Sequence, residues 1–112
     1  MVIMSPFVSD YRVGMILTLI EGYTKRGIGV KAYIRQTKKE IELKAIDRLN
    51  SAGVEVVFMK RIHQKIAIID DSIAWSGSLN ILQHLNSHEL MTRYSGPEHV
   101  KKLVEVEWVE RA

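Results

Sequence analysis

A chain of 112 residues that is 46% hydrophobic and 26% charged has the size and composition of one folded domain, outside the disordered, collagen-like and low-complexity classes. It contains no cysteine, which excludes disulfide scaffolds, thiolate zinc sites and cysteine nucleophiles and fits a reducing, cytoplasmic setting. The net charge of +3 leans towards polyanionic partners, and with no basic leader and no apolar run near the ~20 residues needed to cross a bilayer, no membrane partner is expected.

Taken in chain order, residues Val2 to Val8 are apolar and β-friendly. Ser9 or Asp10 can then cap a helix whose inner stripe is Val13, Ile16, Leu17 and Ile20, with Gly27 as its stop. Val30, Ala32 and Ile34 alternate with Lys31, Tyr33 and Arg35, the period of a strand with one face buried. Thr37 is the cap expected for a second helix, in which Ile41, Ala45 and Leu49 recur at four-residue spacing and which Gly53 closes. Val54 to Met59 completes a strand-helix-strand-helix-strand order, the signature of right-handed crossovers and a parallel sheet flanked by helices.

The second part of the chain changes character. Ile62 to Ile69 and Ser72 to Ser76 are two apolar runs separated by Asp70-Asp71, which predicts a β-hairpin. A short helix over Leu79 to Leu85 and a strand over Glu89 to Tyr94 follow. The last predicted helix opens at Pro97 and presents Val100, Leu103, Val104 and Trp108 on one face. The expected fold is therefore α/β, a mixed and largely parallel sheet in a single domain over residues 1–112.

Candidate chemistry concentrates on the hairpin. If residues 62–69 form a strand, His63 and Lys65 emerge on the same side about 7 Å apart. An imidazole beside an ammonium offers a nucleophile or proton carrier next to fixed positive charge, which suits a phosphoryl group. By the same parity Asp70 faces away and builds the turn. The returning strand ends in Gly77-Ser78-Leu79-Asn80, where glycine permits close backbone approach and Ser78 and Asn80 offer short donors near a helix start.

These six residues, His63, Lys65, Asp70, Gly77, Ser78 and Asn80, span eighteen positions. Their spacing resembles the H-x-K-x4-D-x6-G-S-x-N signature of the phospholipase D superfamily. Asn86-Ser87-His88-Glu89 is similar to a downstream segment of that family. The resemblance implies a half-site domain in which His63 attacks phosphorus and a second histidine protonates the leaving oxygen. It further implies that Lys65, Ser78 and Asn80 hold the phosphoryl oxygens, that Glu89 orients His63, and that no metal or other cofactor takes part. Asp70 and Gly77 would be structural. Because the chain carries one motif, the resemblance implies a homodimer that completes the site.

The function this implies is a metal-independent phosphodiesterase, a nuclease cleaving nucleic acid, with DNA favoured over RNA. One alternative is a non-catalytic nucleic-acid-binding and dimerisation module of a larger helicase or restriction protein, since the chain starts directly at the first strand and reads as excised from something larger. A phospholipid-cleaving enzyme is a third reading. Blander readings make His84, His88 and His99 surface residues, Trp75 a core residue, and Lys38-Lys39 and Lys60-Arg61 solvated faces.

Overall fold

The computed structural model describes residues 1–62, 64–69, 72–77 and 91–107. In chain order these form β1 (Val2–Ser5), α1 (Asp10–Lys25), β2 (Lys31–Arg35), α2 (Glu40–Ser51), β3 (Glu55–Met59), β4 (Ile66–Ile69), β5 (Ile73–Gly77), β6 (Met91–Ser95) and α3 (Pro97–Glu107). The strands make one mixed sheet in the order β3-β2-β1-β4-β5-β6. Strands β1, β2 and β3 are parallel, while β4, β5 and β6 are joined to β1 and to each other in antiparallel fashion.

Two hydrophobic layers hold the sheet. On one face Ile3, Ala32 and Ile34 pack with Val13 and Ile20 of α1 and with Ala45, Ile46 and Leu49 of α2. On the other, Met4, Tyr33, Ile66, Ile68 and Ala74 pack with Val100 and Leu103 of α3 and with Ile62. This two-sided cover corrects the alternation expected for β2. Tyr33 is as deeply buried as its neighbours Ala32 and Ile34, because a central strand has no solvent face.

Local chemistry sets the element ends. The hydroxyl of Ser9 accepts from the Arg12 amide at the start of α1, and Gly27, at φ 78°, follows its last turn, as the sequence predicts. Gly53 closes α2 at φ 96°. Strand β1 is shorter than the predicted Val2 to Val8: it ends at Ser5, whose buried hydroxyl donates to the Phe7 carbonyl beyond Pro6. In α2 the cap position falls on Lys39, which makes no side-chain cap bond, and Thr37 instead accepts from the Lys39 amide. The inner face of α2 is Glu42, Ala45, Ile46 and Leu49, while Ile41 is 68% exposed. The i, i+3, i+4, i+7 stripe displaced the simple four-residue repeat.

The hairpin forms as predicted, pairing Ile66 with Ser76 and Ile69 with Ile73. The Ser72 amide donates to the Ile69 carbonyl at 3.2 Å, closing the chain across positions 70 and 71. The first strand of the hairpin starts at Ile66 rather than Ile62. Helix α3 buries Val100 and Leu103, with Val104 partly covered, while Trp108 and the helix predicted over Leu79 to Leu85 lie outside the described residues.

Candidate active site at the carboxyl edge of the sheet

Strand direction decides which residues meet. With β1, β2 and β3 parallel and β4 and β5 alternating, the carboxyl ends of β1, β2, β3 and β5 share one edge with the amino end of β4. At this edge the connectivity also reverses, since β1 lies between β2 and β4. Such switch points open a crevice beyond the strand ends, where open α/β sheets bind ligands.

Lys65 stands immediately before β4, and Gly77 is the last residue of β5. The Gly77 amide donates to the Lys65 carbonyl at 3.3 Å. Two motif residues separated in sequence by the hairpin, Lys65 and Gly77, thus meet in the fold. Lys65 itself is half-buried. Because β4 begins at Ile66, Lys65 precedes the strand, and the parity argument that set its side chain beside that of His63 loses its strand basis. His63, Asp70, Ser78, Asn80 and Glu89 lie outside the described residues, as do His84 and His88.

A residue that sequence reasoning left out stands at the same edge. Arg35 ends β2, and its Nη2 donates to the carbonyl of Ile62 at 2.7 Å. Its guanidinium lies 5.0 Å from the centroid of the Phe7 ring, within cation–π range. Ile62 is only 1% exposed and is the residue before His63. Arg35 therefore fixes the peptide from which the motif departs. Its sequence signal is thin, a charged residue ending a buried strand.

The phospholipase D-like family model, described as "Cardiolipin synthase, PLD-like domain", matches residues 1–106. The chain belongs to the phospholipase D-like family. No curated protein sequence matches it significantly. Among solved structures, the polyphosphate kinase of Porphyromonas gingivalis is similar in fold, with a TM-score of 0.63 at 15% identity over 94% of this chain and 20% of that one. The chain thus spans about a fifth of the length of that relative.

Within this phospholipase D-like domain a buried carboxylate braces the edge. Glu42 is 7% exposed; its Oε2 accepts from the Val8 amide at 3.3 Å and its Oε1 from the Thr37 hydroxyl at 2.9 Å. It ties the loop after β1 to the loop after β2 and satisfies a buried amide that would otherwise lack a partner. Sequence periodicity hid it, since a glutamate in the first turn of a helix reads as solvated.

Two bland expectations also meet the structure. His99 is exposed, with Nδ1 2.9 Å from the Ser95 carbonyl, as a surface residue. Trp75 is 38% exposed and so is not the core residue expected, because it pairs across the sheet with Ala67 and Arg93 on the face opposite α3. Among the described residues no helix is long and apolar enough to cross a membrane, and no three His, Asp or Glu side chains cluster as a metal site would require.

Proposed function

We propose that this domain is a phosphodiesterase of nucleic acid that works through a covalent phosphohistidine on His63, at a site shared by two copies of the chain. The observation that supports the reading is the Gly77 to Lys65 backbone bond, which brings two residues of the motif together at the switch-point edge, a place where open α/β sheets bind ligands. In the first step the His63 imidazole bonds to phosphorus as the P–O bond to the leaving group breaks, and the partner's His63 gives that oxygen its proton. In the second, the partner's His63 takes a proton from water, whose oxygen bonds to phosphorus and releases His63. Lys65, Ser78 and Asn80 hold the phosphoryl oxygens as their charge builds, and Glu89 orients the imidazole.

The test is cleavage of DNA in excess EDTA. Wild type should cut, and His63→Ala should lose ~10³-fold or more in rate while still folding. Mixing wild type with excess His63→Ala chains under verified exchange should depress activity more steeply than dilution, because each heterodimer holds one imidazole. A strict magnesium requirement would overturn the metal-independent step, and a linear fall on mixing would overturn the shared site. A lipid-directed phosphodiester chemistry draws support from the description of the matching family model. Release of headgroup from phospholipid vesicles, with DNA left intact, would favour it.

A further inference from the structure

We infer that the carboxyl edge of β2 and β3 is a track for the nucleic-acid strand flanking the reacting phosphate, built from Lys38, Lys39, Lys60 and Arg61. The inference rests on the proposed nuclease reading and extends it to how substrate is held. The two basic pairs are distant in sequence. Parallel pairing of β2 and β3, with Arg35 opposite Met59, brings the segments that follow these strands to the same edge as Lys65. A 2.8 Å bond from the Gln36 amide to the Met59 carbonyl holds them side by side where they leave the sheet.

All four side chains are exposed. None of the four takes part in the Arg48–Asp10 ion pair. Of the described carboxylates around Lys39, Glu42 is buried and hydrogen-bonded within the protein, Asp10 is paired with Arg48, and Glu40 is the neighbour of Lys39 in sequence. At the opposite edge of the sheet two cations make contacts within the protein. Arg26 lies over the Tyr23 ring and donates to the Gly22 carbonyl, and Lys31 sits over the Tyr33 ring. The four cations of the two pairs stand together, exposed, at the motif's edge.

Geometry selects the ligand. Between β4, where Lys65 stands, and β3, which leads into Lys60, lie β1 and β2, so the track runs about 14 Å at the usual strand spacing. One phosphodiester headgroup does not reach that far. A nucleic-acid backbone does, because its charged phosphates repeat along the strand. Phe58, 44% exposed and two residues before Lys60, adds a ring on which an unpaired base can stack. A membrane would also attract the cations, but a line of charge along strand ends fits a chain of phosphates better than a plane of them.

The experiment compares wild type with the Lys38→Gln/Lys39→Gln/Lys60→Gln/Arg61→Gln variant in binding a labelled single-stranded oligonucleotide across a salt series. Loss of four phosphate contacts should flatten the slope of log K against log salt by roughly 3. Should the quadruple variant not fold, each pairwise variant should flatten it by about 1.4. Cleavage of bis(p-nitrophenyl) phosphate, too small to reach the track, should be unchanged. An unchanged slope with that cleavage intact overturns the track and leaves the enzyme reading standing. A flattened slope in a protein that cleaves nothing supports the track and sinks the enzyme. Lost binding to equimolar phosphatidylcholine and phosphatidylglycerol vesicles, with oligonucleotide binding unchanged, overturns the nucleic-acid assignment in favour of a membrane.

Discussion

The two sides of the sheet are built on different logic. From β1 to β3 the chain is parallel, covered by α1 and α2 on one face and joined to the α3 layer through Met4 and Tyr33 on the other, and contributes no residue to the H-x-K signature. From β4 to β6 it is antiparallel, backed by α3, and its hairpin carries the whole run from Lys65 to Gly77. The first side is assembled through long crossovers, so its stability comes from side chains buried between segments distant in sequence. The second folds on itself locally, so its strand pairing sets two distant motif segments against each other. The contrast teaches that scaffold and chemistry are separable, except where a side chain crosses between them.

Substitutions can break that separation. The largest effect on the scaffold is expected at Glu42. Glu42→Ala leaves the buried Val8 amide without its acceptor and should cost about 3 kcal/mol, read as a lower denaturant midpoint. Turnover per folded molecule should hold. If activity falls while the midpoint stays, Glu42 belongs to the site rather than to the brace.

Arg35 is the side chain that crosses. Arg35→Met keeps the packing on Phe7 but removes the donor to the Ile62 carbonyl. The peptide leading into His63 is then free to shift, and a displacement near 1 Å can cost up to about 10²-fold in rate. The expected readout is a lower kcat with little change in KM, partly restored in Arg35→Lys. Equal losses in stability and activity, with no recovery in the lysine variant, would make Arg35 merely structural and restore the clean division between the two sides.

The sequence disclosed these two sides unequally, for physical reasons. Periodicity was enough for α1, β2, β3 and the hairpin, because amphipathic stripes and turn residues act locally. It misread Tyr33 and Ile41, since burial depends on what a later element lays over the strand, and no local pattern reports that. Motif spacing supplied the candidate site, and of its residues the structure describes Lys65 and Gly77, whose backbone bond follows from the hairpin. Arg35 and Glu42 were not legible, because each acts on backbone groups far away in sequence, and a lone charge has no spacing to betray it.

The smallest expected effect asks whether nearness to the site is enough to matter. Ser9 lies in the loop after β1, on the same edge as Lys65, yet its described role is local: the hydroxyl accepts from the Arg12 amide at 3.3 Å and caps α1. Ser9→Ala should cost about 1 kcal/mol, the usual worth of such a cap. In a domain of this size that lowers Tm by roughly 4 °C. Helix α1 packs through Val13 and Ile20 onto the parallel side, so the loss should stay in the scaffold. Turnover and oligonucleotide affinity should both match wild type at temperatures below the transition. A drop in turnover larger than the unfolded fraction explains would mean that the loop after β1 transmits its geometry to the motif, and the carboxyl edge would then act as one unit rather than as a scaffold rim with a site set into it.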